Sequence, residues 1–124
     1  MQTASLLAKA VSGDATSLGA HDTLRMATIS GALALGWENE IGSLEPGKYA
    51  DLIAVKINSI SQQPLYNPAS QLVYTNAGSH VTHSWVAGRK LLDDGQLQTI
   101  DEYSLIQKTE QWRNRIQGSN TAGQ

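Results

Sequence analysis

The sequence predicts an α+β chain in which helices come first, strands follow and one more helix closes the run. Three observations carry this. Apolar residues recur at helical spacing through residues 3–12 and 22–35. After Lys48 the period changes: residues 50–55 are almost continuously apolar, and short strand-like stretches alternate with the turn pairs Ala87-Gly88 and Asp94-Gly95. Beyond Asp101, the residues Leu105, Thr109, Trp112 and Ile116 share one helical stripe.

The first helix, over residues 3–12, places Leu6, Leu7, Ala10 and Val11 on one face. It starts almost at Met1 without a capping residue, so Met1 is expected to be an internal position of a longer protein. Residues 13–20 form a loop rich in Gly, Ser and Asp. Asp22 is then suited to cap a helix running to Leu35, with Gly36 as its stop. Leu24, Ala27, Gly31 and Leu35 line one of its faces; Met26, Ile29 and Leu33 line another. A helix apolar on two faces requires burial on both.

In the β part, residues 50–55 read as a strand covered on both faces. Residues 57–70, with Pro64 and Pro68, read as a crossing loop, and residues 72–75 as a short strand. Residues 81–86 and 89–92 read as a hairpin, followed by a tight turn and residues 96–99. These segments are expected to form a mostly antiparallel unit with the last helix, residues 101–117, packed near it. Residues 118–124 read as a flexible polar tail.

Composition limits the function classes. At 124 residues the chain holds one modest domain. A formal net charge of −2 with mixed signs leaves no basic footprint, so no nucleic-acid partner is expected. With no cysteine, disulfides and thiolate metal sites are excluded. The N-terminal apolar run is short and broken by Lys9; it fits neither a membrane span nor a signal peptide, and a cytoplasmic protein is expected.

The motifs that suggest chemistry each meet an objection. Gly42 to Lys48 has the spacing of a phosphate-binding loop, but Tyr49 stands where a Ser or Thr should bind magnesium. The segment also follows a helix and opens a strand, the reverse of that motif, so it reads as a turn with Pro46 and Gly47 at its centre. His80 and His83 are three apart, which on a strand sends them to opposite faces. Asp93 and Asp94 read as turn residues, and His21 as solvent-exposed. Asp51 reads as a local ion-pair partner of Lys48. Trp37, Trp85 and Trp112 are scattered through the sequence and read as core or interface packing. Neither a nucleophile elbow nor a Ser, His and Asp set is recognisable. The chain therefore offers no catalytic residue and no metal ligand, and its substrate-binding residues are unassigned.

Four stretches carry a family resemblance: LLAKAVSGD from Leu6, LRMATISGALALG from Leu24, IGSLEPGKYADLIAV from Ile41 and VTHSWVAG from Val81. They resemble the C-terminal part of the metal-dependent amidohydrolases that include chlorohydrolases and the methylthioadenosine/S-adenosylhomocysteine deaminases. The first stretch points to the deaminases. The resemblance implies that residues 1–40 are the last helices of a (β/α)8 barrel. Residues 41–100 would be part of a small composite β-domain, followed by the helix of 101–117. It also implies a parent hydrolase of C–N bonds that deaminates an aminopurine nucleoside with zinc or another divalent metal held upstream. This piece alone is expected to carry no cofactor and to be inactive. Its expected partners are the missing N-terminal barrel and further copies of itself. The competing readings are a chlorohydrolase or other heterocycle deaminase piece, and a non-catalytic β-module for assembly.

Overall fold

The computed structural model describes residues 1–121 of the chain. Helix α1 spans Gln2–Ser12 and closes on Gly13, whose φ of 67° is open to glycine. The long helix expected over residues 22–35 is two: α2, Ala20–Met26, and α3, Ile29–Leu35. Gly19, not Asp22, stands at the cap of α2, and Asp22 lies in its first turn. The break falls at Thr28, whose hydroxyl donates back to the Leu24 carbonyl at 2.8 Å and competes with the helical ladder. Gly36, at φ 71°, ends α3 as the sequence predicts.

A loop then folds back onto α3. A Cβ on Gly42 would lie 2.8 Å from the Ala32 Cβ and 2.9 Å from the Ile29 Cα, so only glycine allows this approach. Gly47 takes φ 94° in the Pro46-Gly47 turn, and the Lys48 amide donates to the Glu45 carbonyl at 3.2 Å.

Strands β1 (Leu52–Val55), β2 (Val81–Val86), β3 (Arg89–Asp93) and β4 (Gln96–Leu97) form an antiparallel sheet in sequence order. Leu52 faces Trp85 across the first pair, and Leu92 faces Leu97 across the last. Both hairpin turns have two successive positive φ values: Ala87 and Gly88 at 49° and 76°, Asp94 and Gly95 at 46° and 81°. That matches the right-handed strand twist. The last strand is shorter than the 96–99 expected. Strand β1 is an edge, not a strand covered on both faces: it pairs with β2 alone, and Ile53 is 59% exposed.

Residues 72–75 are not a strand. They end helix α4, Pro68–Tyr74, within what reads from sequence as crossing loop and strand. Proline at its first position and an Asn67 side chain accepting from the Ser70 amide at 3.1 Å start it. Ala69, Val73 and Ala77, each four residues apart, turn inward and are buried. Helix α5, Glu102–Thr121, is longer than the 101–117 expected and takes in the start of the expected tail; residues 122–124 lie outside the described residues. Asp101 caps it, accepting from the Ser104 amide at 3.1 Å and hydroxyl at 2.6 Å. The helix is not packed into the sheet, for residues 101–118 are exposed throughout.

What joins the helices is polar. Ser5, with no exposed surface, donates to the Leu18 carbonyl at 2.7 Å and shares a hydrogen bond with the Tyr74 hydroxyl at 2.9 Å. The Thr23 hydroxyl donates to the Gly19 carbonyl at 2.8 Å, and Lys9 donates to the Ser17 carbonyl at 2.5 Å. Helices α1, α2 and α4 thus meet around the backbone of residues 17–19. The Ser5 hydrogen bond, supported by Lys9, holds the Tyr74 hydroxyl below the ordinary phenol range.

Removing the Ser5 hydroxyl leaves the Leu18 carbonyl with only the longer bonds from Thr23 at 3.3 Å and Lys9 at 3.4 Å, and takes away the Tyr74 hydroxyl's partner at 2.9 Å. Ser5→Ala should therefore lower the unfolding free energy by about 1–3 kcal/mol in urea titrations. Tyr74→Phe alone should cost less than Ser5→Ala, and the two losses should be less than additive together, because both remove the same hydrogen bond.

The Asp101 carboxyl is held below its ordinary value by the Ser104 hydroxyl first and the Ser104 amide second. A depressed folded-state value means its contribution to stability is present above the unfolded carboxyl range and is lost as pH falls through the folded one. Helical circular dichroism should therefore decline in acid. In Asp101→Asn that acid-dependent component should shrink, because the titrating cap is gone.

Candidate functional site

An open groove of about 630 Å³ lies between α2–α3, the loop of residues 41–44 and β1. Leu24, Ala27, Gly31, Leu35, Ile41 and Leu52 give it apolar walls. These are the residues of one α2–α3 face together with the entrance to β1. The break at Thr28 turns α3 so that both short helices contribute to one wall.

Its polar groups are already committed. The Thr28 hydroxyl is bonded to Leu24, and Ser43 accepts from the Lys48 ammonium at 2.6 Å. Asp51 does not pair with Lys48: its carboxylate accepts from the Ala87 amide at 2.6 Å and braces the β2–β3 turn. Lys48 instead donates to the Glu38 carbonyl at 2.5 Å and lies 3.7 Å from Glu45, holding the loop closed. A small-molecule pocket needs a few convergent, unspent polar groups to orient its ligand. This groove presents carbon. The phosphate-loop reading fails for the same reason, since Lys48 is spent on the protein and the segment leads into β1.

Above the groove, β1 carries the sheet's open edge. The Ala50 carbonyl accepts from the Gly88 amide on the β2 side. By alternation, the peptide groups of Ile53 point away from β2. An edge strand beside an apolar groove is the surface a strand or packed layer from another part of a protein would cover.

The histidines form no metal site. His80 ends a single helical turn, Ala77–His80, and its carbonyl accepts from the Lys56 amide at 2.9 Å. His83 lies on β2, with Nδ1 at 2.9 Å from the Thr82 hydroxyl and Nε2 at 3.2 Å from Asp93. Asp93 is therefore strand rather than turn, and it also accepts from Lys90 at 3.0 Å. The His83 ring stacks on Trp85 at 5.6 Å, and Lys90 lies 5.8 Å from the Trp85 ring. This is a cross-strand clasp whose members bind one another. Among the described residues no three His, Cys, Asp or Glu side chains converge to hold a metal. His21 is exposed. Trp37 and Trp112 are more than half exposed, so the core reading fails for both. Among the described residues no helix is long and apolar enough to cross a membrane.

The chain exposes 9253 Å². A compact monomer of 13.3 kDa would expose about 6,450 Å². The excess of roughly 2,800 Å² far exceeds the ~800 Å² that one partner contributes to a standard interface. Leu35, Leu44 and Ile53, at the rim of the groove, belong to it.

The 5-methylthioadenosine/S-adenosylhomocysteine deaminase of Teredinibacter turnerae is 46% identical over 116 residues, which is 94% of this chain and 26% of that protein. The enzyme of the same name from Saccharophagus degradans is 42% identical over 99% of this chain and 28% of its own length. The chain thus spans about a quarter of the length of the curated relatives it matches. An adenosine deaminase from Xanthomonas campestris with bound zinc superposes with a TM-score of 0.85, at 45% identity over 94% of this chain and 27% of that one. The zinc complex of an atrazine chlorohydrolase from Arthrobacter aurescens gives 0.67, at 26% identity over 76% of this chain and 20% of that one. The sequence model of the Amidohydrolase family matches residues 1–91, from α1 into β3. The chain belongs to the amidohydrolase family.

Proposed function

We propose that this chain is the C-terminal quarter of a metal-dependent deaminase acting on aminopurine nucleosides such as methylthioadenosine or S-adenosylhomocysteine. The observation that carries the reading is the apolar groove with its open β1 edge, on a chain 42–46% identical to deaminases roughly four times its length. In this reading residues 1–40 are the last helices of the barrel and residues 41–100 part of a β-domain completed by strands from elsewhere in the protein. The helix of 101–117 then follows. The chlorohydrolase alternative is weaker, at 26% identity over 76% of the chain against 45% over 94%.

The work of this piece is structural. The groove takes up the apolar surface of the barrel, and Lys48 and Asp51 fix the loop and hairpin that shape its rim. Zinc in a deaminase of this family supplies a hydroxide that is formed at neutral pH. The described residues of this chain do not fit a zinc site, because no three His, Asp or Glu side chains come together and His83 is engaged with Asp93 and Thr82. No proton transfer or substrate contact is assigned to them.

Exhaustive dialysis followed by metal analysis should find the isolated chain without stoichiometric zinc. Retained zinc that disappears in His80→Ala and His83→Ala would place a site here.

A chimera tests the reading itself. The matched quarter of the Xanthomonas campestris adenosine deaminase would be replaced by this chain, joined in continuous sequence. The chimera should bind zinc and release ammonia from adenosine or methylthioadenosine. A folded, zinc-loaded chimera without deaminase activity would contradict the assignment.

A further inference from the structure

Helix α5 is the part of the molecule that neither the groove nor the sheet explains. It is a 20-residue helix, about 30 Å long, and residues 101–118 lie exposed along it. The amidohydrolase match ends at residue 91, before α5 begins, while the Saccharophagus degradans deaminase aligns over 99% of the chain and so includes this helix. Leu105, Thr109, Trp112 and Ile116 recur at i, i+4, i+7 and i+11, and Leu105, Trp112 and Ile116 are each about half or more exposed. A solvated helix of this kind gains stability chiefly by burying such a stripe.

The charges say what buries it. Asp101 and Glu102 make the start of α5 acidic, while Arg113 and Arg115 make its latter half basic, with Lys108 and Glu110 cancelling between them. Arg115 lies 5.6 Å from the Trp112 ring and so borders the stripe. A parallel partner of the same sequence would set acid beside acid and base beside base. An antiparallel one sets Glu102 of each copy beside Arg113 of the other, on the same flank of the stripe, and opposes the two helix dipoles.

We infer that α5 is a self-docking helix: two copies of the chain pair their α5 helices antiparallel about a two-fold axis, with Leu105 and Trp112 in the seam. Such a contact is isologous and closes on itself. It uses a surface distinct from the groove, so it stands apart from the proposed enzymatic role.

Sedimentation velocity on the full chain over a wide concentration range tests it. The wild type should be a reversible dimer. Trp112→Glu should weaken dimerisation at least tenfold, with the remaining helices and sheet retained by circular dichroism. Arg113→Glu should also weaken it, and adding Glu102→Arg to that variant should restore it by exchanging the charges. Ile53→Lys, at the β1 edge, should leave the α5 dimer unchanged. A wild type monomeric at every concentration would overturn the proposal and leave the stripe to a different polypeptide. So would association indifferent to Trp112→Glu but lost in Ile53→Lys, which would assign self-association to the groove. A charge exchange that fails to restore the dimer would overturn the antiparallel arrangement.

Discussion

The fold depends on the buried Ser5 hydroxyl and its two partners, the Leu18 carbonyl and the Tyr74 hydroxyl. In most domains of this size large apolar side chains hold the helices together. Here the buried apolar residues are Ala32, Ala69, Val73 and Ala77, while Gln62, Thr23 and Ser5 are among the largest side chains that are fully enclosed. Small residues let α1, α2 and α4 approach closely, and directional hydrogen bonds then fix their relative positions. Around that tie, the Gln2 amide donating to the Tyr74 carbonyl at 3.2 Å and Lys9 donating to the Ser17 carbonyl complete the hold on α1.

The same economy inside explains the surface. Leucines and isoleucines that could have formed a core instead face outward on α3, on the 41–44 loop and on β1. The excess area of roughly 2,800 Å² is more than three times the ~800 Å² that one partner contributes to a standard interface. Edge strand, apolar groove and spent polar groups all support the proposal that further polypeptide covers this face. On the proposed reading, the part this chain plays is to hold other elements in place.

Much of this was legible in the sequence where the signal was local. Gly13 and Gly36 end their helices, Pro46-Gly47 and Ala87-Gly88 make their turns, and Asp101 caps α5, because each act requires residues only a few positions apart. The misreadings are cases of distance or competition. Helix α4 was hidden because Leu72, Val73 and Tyr74 look like a strand in isolation; its inward face needs Ala69 and Ala77 as well. Thr28 breaks a helix whose apolar period continues across it, since the period is blind to a hydroxyl bonding back to Leu24. Asp51 has a lysine three residues away but bonds to an amide 36 residues on, and Ser5 meets Tyr74 across 69. No spacing rule in one sequence encodes those meetings. The groove was legible only as an excess, the two apolar faces of residues 22–35 that exceed what the chain itself can cover.

Amide hydrogen exchange compares the chain alone with the same residues in the deaminase chimera, and tests most directly whether the groove and the β1 edge are interior surfaces of a larger fold. In the isolated chain, amides of α4 around the Ser5–Tyr74 tie should be protected, while the outward amide of Ile53 should exchange quickly. In the chimera, Ile53 and the α3 amides lining the groove should slow by at least about tenfold, the effect expected when an open edge and an exposed wall are covered. Equal exchange at Ile53 in both would contradict the account, for it would mean that the surface left open by this chain is one that the whole protein also leaves open.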